Sequence, residues 1–244
     1  MKRKGYLFEK ICDMDNLRLA EVNAGHGKGS RQEVAQFRAN LEQNLAEIRA
    51  QLVNKTYHTS AYTCFIKHEP KERVIFKLPY RDRVVQWAIM QVLEPVWTPT
   101  LTRDTYACIR GRGVHSLLHQ LRKDLRNDPD GTKFYPSITH SILKQVVRHK
   151  IKDPDLLWLL DDIIDSADGV PIGNYISQHL ANLYLSELDH MAKEEWKVKY
   201  YYRYADDIAA LSDSKKFLHD LHDKVVRYLH EHRRLELKPN YQIF

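Results

Sequence analysis

Tyr200-Tyr201-Tyr202-Arg203-Tyr204-Ala205-Asp206-Asp207-Ile208-Ala209-Ala210-Leu211 is the stretch on which the fold turns. Tyr200, Tyr202 and Tyr204 alternate with Tyr201 and Arg203, the period-two pattern of a strand, and the apolar run Ile208 to Leu211 supplies a second strand. Together they predict a hairpin with Asp206 and Asp207 at its tip. Two adjacent carboxylates there concentrate negative charge, which a divalent cation relieves. Because side chains alternate along a strand, the pair cannot both point squarely at the same ions, so Asp206 is expected as the main ligand and Asp207 as its support. Taken alone, the same tetrapeptide is also an ordinary exposed polar turn.

Outward from the hairpin, residues 214–231 carry Phe217, Leu221, Val225 and Leu229 at helical spacing, and residues 178–196 turn Leu180, Leu183, Leu188 and Met191 inward. Helices are also expected over 114–125, 140–150 and 155–164, and over 81–93 until Pro95. Ser30-Arg31-Gln32-Glu33 has the form of a capping box opening one helix, on which Val34, Phe37, Leu41, Leu45, Ile48 and Leu52 recur at steps of three and four. Residues 56–80 read as short strands broken at Pro70 and Pro79, and 235–244 as extended chain. Helices alternating with antiparallel strands predict an α+β fold rather than a doubly wound sheet.

With 244 residues the chain can bury a substantial core in one large domain or two small ones. Its 38 Lys and Arg exceed 32 Asp and Glu, and residues 61–125 hold eleven basic against six acidic residues, interleaved with Tyr62, Phe65, Phe76, Tyr80, Trp87, Trp97 and Tyr106. That is the composition of a surface that tracks a phosphate backbone and stacks bases. Cys12, Cys64 and Cys108 lie far apart, so neither a disulfide framework nor a cysteine zinc site is indicated, and a reducing cytoplasm is expected. The pairs His219/His222 and His230/His232 lack a third ligand at sensible spacing. No window approaches the roughly 18 apolar residues of a membrane span, and the start has no apolar signal core.

The order of further segments, from about Glu69 to Phe244, resembles the numbered blocks of reverse transcriptases. Pro70-Lys71-Glu72-Arg73-Val74-Ile75 is similar to the first block, whose basic residues reach the incoming triphosphate, making Lys71 and Arg73 nucleotide-binding candidates; the alternative is a charged strand edge. Arg81-Asp82-Arg83-Val84-Val85-Gln86 resembles the helix start that follows, leaving Arg81 and Arg83 either structural or facing nucleic acid. The second block is matched by Asp104-Thr105-Tyr106-Ala107-Cys108-Ile109-Arg110-Gly111-Arg112-Gly113, which implies phosphate contact by Arg110 or Arg112. Lys133-Phe134-Tyr135-Pro136-Ser137-Ile138 is similar to the end of the third block, so Tyr135 would be the steric gate that stacks under the sugar and excludes a 2′-hydroxyl. The family's first catalytic aspartate then falls at Asp130. Yet Arg126-Asn127-Asp128-Pro129 is not the apolar central strand that precedes it in the family. A strand of about ten residues, expected between Thr132 and Phe134, is not there.

The subfamily is suggested by Gly169-Val170-Pro171-Ile172-Gly173-Asn174-Tyr175-Ile176-Ser177-Gln178. Group II intron and retron-like enzymes usually carry Pro-Gln-Gly here; Ile-Gly followed by Ser-Gln resembles the reverse transcriptases of diversity-generating retroelements. By that resemblance the enzyme copies a template RNA with errors at adenines, Ile172 and Gln178 shape the pocket, and Gly173 lets the backbone approach template and nucleotide. A glycine loop capping a helix is the plain alternative. Leu235-Glu236-Leu237-Lys238-Pro239-Asn240-Tyr241-Gln242 is similar to the block after the hairpin, but Tyr241 stands where many relatives have a lysine that protonates pyrophosphate, and no general acid is assigned.

The resemblance therefore implies a right-hand polymerase: an N-terminal extension and fingers over 1–125, a palm with the catalytic hairpin over 126–244, and the helices of 139–168 in palm or fingers. Its antiparallel palm sheet would pack on helices, and the thumb would be absent. Mg2+ (or Mn2+) would be held by Asp206, Asp207 and Asp130, with deoxynucleoside triphosphates as substrates. Expected partners are template RNA, primer or cDNA and a small basic oligomeric accessory protein, in a bacterial cytoplasm, with a bacterial or phage gene. A group II intron or retron-type enzyme and an inactive RNA-binding scaffold are the alternative functions.

Overall fold

Apolar side chains at helical spacing dominate the first half of the chain, and short strands take over around the acidic turn. The computed structural model describes residues 2–68, 72–124, 135–237 and 241–243. In chain order the elements are α1 (Phe8–Ile11), α2 (Met14–Gly25), α3 (Gln32–Ala39), α4 (Leu41–Val53), β1 (Thr63–Lys67), β2 (Arg73–Lys77), α5 (Tyr80–Trp97), β3 (Thr105–Tyr106), α6 (Val114–Asp124), α7 (His140–Lys150), α8 (Pro154–Asp165), α9 (Tyr175–His190), β4 (Tyr200–Tyr204), β5 (Asp207–Leu211) and α10 (Lys215–Tyr228). Two compact units result: Met1–Trp97 with Lys144–Ser177, and Thr98–Leu143 with Gln178–Phe244. Among the described residues no helix is long and apolar enough to cross a membrane.

The first unit is built around α5. Val84, Val85, Ala88, Ile89, Met90 and Leu93 are all buried, so this helix is apolar around much of its circumference and needs cover on more than one side. Leu17, Ala20 and Ala24 of α2 are buried in its contact with α5, and Leu45, Ile48 and Leu52 bury the inner stripe of α4. Each such leucine contributes about 1.5–3 kcal/mol. Two of the polar clusters inside are hydrogen-bonded: Tyr57 donates to Asp82 at 2.7 Å, and Tyr80 and Arg38 both donate to Glu21 at 2.7 Å. β1 and β2 form an antiparallel pair from Thr63↔Lys77 to Lys67↔Arg73.

The second unit holds a three-stranded sheet in the order β3-β4-β5. Tyr202 packs with Tyr106 and with Leu117 of α6 in one apolar cluster, which Tyr204 and Leu211 border. Tyr201 and Arg203 alternate with these residues along β4 and reach Asp189 of α9.

Several expectations are corrected. β3 runs parallel to β4, so the sheet is mixed rather than antiparallel. No Ser30 cap exists: the N-cap of α3 is Arg31, without a side-chain cap bond. The single helix expected after it breaks at Asn40 (φ −128°, ψ 45°), where Asn44 Nδ2 satisfies the Phe37 carbonyl at 2.7 Å. α5 does not stop before Pro95; the ring falls in its last turn, where a missing N–H loosens little of the helix. Asp130, Lys71 and Lys238 lie outside the described residues.

Candidate active site

β4 and β5 are joined by the shortest practical connection. Tyr204 pairs with Asp207, which leaves Ala205 and Asp206 as a two-residue turn. Ala205 has φ +53°, the sign that a type II′ turn demands at its first central residue and usually obtains from glycine. An alanine there costs roughly 1–2 kcal/mol, so the surroundings must hold it. Asp206 is half-buried in the turn, and Asp207, the first residue of β5, is exposed. Hard oxygen donors on adjacent residues suit a cation such as Mg2+ that keeps water or phosphate oxygens for the rest of its shell. Among the described residues, no three His, Cys, Asp or Glu side chains gather into a metal cluster.

The turn is held from below by a charge network that the sequence did not disclose. Arg203 and Asp189 are both fully buried and joined by two bonds, Nε to Oδ1 at 2.8 Å and Nη2 to Oδ2 at 2.7 Å. Arg203 Nη1 also donates to Asn182 Oδ1 at 3.0 Å and to the Ala205 carbonyl at 2.7 Å, and Nη2 to the Asn182 carbonyl at 3.2 Å. Asp189 accepts in addition from Tyr201 at 2.8 Å and Thr105 at 2.7 Å. Burial and the Asp189 charge push the Tyr201 phenol well above its ordinary range, which keeps it a donor. The one signal available beforehand was an arginine in phase with a buried tyrosine along a strand.

The other candidates are distributed as follows. In the second unit, Tyr135 opens a 3-10 turn, Tyr135–Ser137, half-buried and within electrostatic range of the Arg203 guanidinium. Arg110 is exposed, whereas Arg112 donates to the Thr102 carbonyl at 2.9 Å. Their loop is strained at Ala107 (φ +74°) and Cys108 (φ +55°), and Asn182 Nδ2 anchors the Ala107 carbonyl at 2.9 Å. Gln178 is exposed in the first turn of α9 and accepts from the Cys108 thiol.

In the first unit, Arg73 is exposed on β2. Phe76 of the same strand donates to the Ile172 carbonyl at 2.8 Å, so the strand that carries Arg73 and the loop of Ile172 and Gly173 are neighbours, a juxtaposition not foreseen. Gly173 has φ +114°, and a Cβ on it would meet Ile75 Cγ2 and the Phe76 carbonyl at 3.0 Å. Its missing side chain thus admits β2. Arg83 is engaged by Glu33 at 2.5 Å, and Arg81 by Gln51 at 2.5 Å, with its guanidinium 5.7 Å from the Tyr57 ring centre.

Residues 66–240 match the family described as reverse transcriptase (RNA-dependent DNA polymerase). Over 137 residues the chain is 26% identical to Protein YkfC of Escherichia coli (strain K12), covering 48% of this chain and 36% of that protein. It is 23% identical over 186 residues to the group II intron-encoded protein LtrA of Lactococcus lactis subsp. cremoris, covering 70% and 30%. With the mitochondrial nuclear intron maturase 4 of Arabidopsis thaliana it shares 27% identity over 162 residues, covering 59% and 20%. The matched region thus spans only 20% to 36% of the length of these relatives. A match over well more than half of the chain, which includes the hairpin and its acidic turn, makes this chain a member of the reverse transcriptase (RNA-dependent DNA polymerase) family.

Proposed function

We propose that this chain supplies the polymerising site of an RNA-directed DNA polymerase that extends a 3′-end along template RNA. The observation that carries the reading is the two-residue turn presenting Asp206 and Asp207 between paired strands. Asp206 is the main metal ligand, Asp207 its support and Asp130 the third carboxylate, for Mg2+ or Mn2+. When bound, such ions activate the attacking 3′-hydroxyl and neutralise the triphosphate leaving group. Arg73 and Lys71 hold the triphosphate, Tyr135 gates the sugar, and Arg110, with its exposed guanidinium, contacts nucleic-acid phosphate. Arg112, Arg81 and Arg83 are engaged within the protein, which supports their structural alternative. Fingers span 1–125 and the palm 126–244, with the helices of 139–168 in palm or fingers.

Within this activity, the Ile172-Gly173 and Ser177-Gln178 signature supports copying with errors at adenines, and a small basic oligomeric protein as accessory partner. A group II intron-type enzyme is the second reading, favoured by the likeness to LtrA and an intron maturase. The test is primer extension on a defined RNA by the full-length gene product with Mg2+ and all four deoxynucleotides, beside Asp206→Ala. Extension that falls to background in the variant is expected. No product from either protein would leave an RNA-binding scaffold instead, and equal products from both would show that extension does not arise at this turn. Sequencing the product separates the two polymerase readings, since the second copies adenine accurately.

A further inference from the structure

We propose that Arg203, fixed by Asp189 and Asn182, is a positioning residue that sets the metal-binding geometry of Asp206 and Asp207. The inference rests on the polymerase reading of that turn. Neither Arg203 nor Asp189 is exposed at all, and stripping water from both charges is so unfavourable that apolar residues of similar size often stabilise a fold as well. Stability is therefore a poor reason for the pair. What an apolar pair cannot supply is the fifth donor.

A guanidinium has five N–H groups in a rigid plane, and here all five are engaged: two on Asp189, two on Asn182 and one on the Ala205 carbonyl. The plane cannot rotate without breaking the others, so the direction of the Ala205 carbonyl is fixed, and with it the peptide that leads into Asp206. Ala205 needs fixing because its φ of +53° is unfavourable for alanine. Asn182 extends the hold: its Oδ1 accepts from Arg203 while its Nδ2 donates to Ala107, itself at φ +74° at the base of the loop bearing Arg110. Asp189 has both oxygens saturated by Arg203, Tyr201 and Thr105, which makes it an anchor and not a metal ligand.

A lysine at 203 keeps the charge but not the fork. The experiment is a double-mutant cycle of Arg203→Lys with Ala205→Gly, since glycine adopts a positive φ without support. Mg2+ titrations of primer extension, dNTP and RNA affinities, and Mn2+ binding to the protein alone by electron paramagnetic resonance are read for each variant. R203K should raise half-saturating Mg2+ and weaken Mn2+ binding by roughly 10- to 100-fold, with KM for dNTP and RNA affinity within about twofold, and most of that change should vanish in the A205G background. An equal loss in both backgrounds, or RNA affinity falling in step with kcat, marks a merely structural residue and overturns the proposal. If thermal melting shows R203K unfolded, Asp189→Asn, which keeps the shape and removes the charge that clamps the fork, takes its place in the same cycle. D206A separates this inference from the reading beneath it. Extension surviving in D206A removes the reading of this turn as the polymerising site, whereas unchanged Mn2+ affinity in R203K removes the positioning role whatever extension does.

Discussion

At Gly173 a single hydrogen atom decides how close two segments come. With φ +114° and a Cβ that would sit 3.0 Å from Ile75 Cγ2 and from the Phe76 carbonyl, Gly173→Ala must strain its own backbone and push β2 away. A stability loss of about 1–3 kcal/mol is expected in urea denaturation, with weaker dNTP binding because Arg73 shares that strand. Weaker binding at unchanged stability would instead mean that a ligand occupies the space. Ile172→Asn tests the neighbouring residue differently: under the adenine-error reading the misincorporation spectrum shifts in sequenced products, and an unchanged spectrum counts against Ile172 as a fidelity residue. The sequence marked Gly173 as a point of close approach, expected for template and nucleotide, and the segment that the structure brings there is β2. Arg203 and Asp189 were less legible still. They stand on a strand and a helix, and no local pattern announces a buried pair formed between separate elements.

α8 shows how much of an element hangs on its first residue. Asp153 is the N-cap, accepting from Leu156 at 3.2 Å, and the same carboxylate accepts the Leu7 and Phe8 amides of α1 at 2.7 and 3.1 Å. Burial alone would raise its pKa, but these backbone N–H groups hold it below the usual 3.8. A depressed folded pKa stabilises the protein above the unfolded value, and that contribution is lost as pH falls through the folded one. Asp153→Ala should therefore cost roughly 2–4 kcal/mol at neutral pH in urea denaturation, because it removes a cap and orphans two buried donors. Asp153→Asn should cost less, and its deficit should close on acidification below 3.8; a deficit independent of pH would show that the charge plays no part. Helix and strand bodies such as α7 and β4 were legible because apolar periodicity is local. The break at Asn40 was not, since α4 resumes the same stripe of apolar residues while the Asn44 bond to Phe37 and the Asn40 amide bond to Arg38 close α3. The parallel pairing of β3 was equally hidden, being only two residues long.

For the whole molecule, the net charge of +6 says less about nucleic-acid binding than the disposition of individual cations does. Arg83 and Lys77 share Glu33, Arg148 is held by Asp161, Arg203 by Asp189 and Arg233 by Glu187, so these cations are matched internally. Arg73 and Arg110 are exposed by contrast. Phosphate neutralisation releases counterions, so the logarithm of RNA affinity falls with the logarithm of salt in proportion to the phosphates engaged. Arg73→Ala and Arg110→Ala should each flatten that line by roughly 0.7 for single-stranded RNA. Arg83→Ala should leave the slope alone and lower the melting temperature, since it strips Glu33 of its closest partner. Fluorescence anisotropy of labelled RNA across a salt series decides the matter. Were R83A to flatten the line as much as R110A, the cation now resting on Glu33 would have to leave it for RNA, and the internal pairing would be a resting state rather than part of the fold.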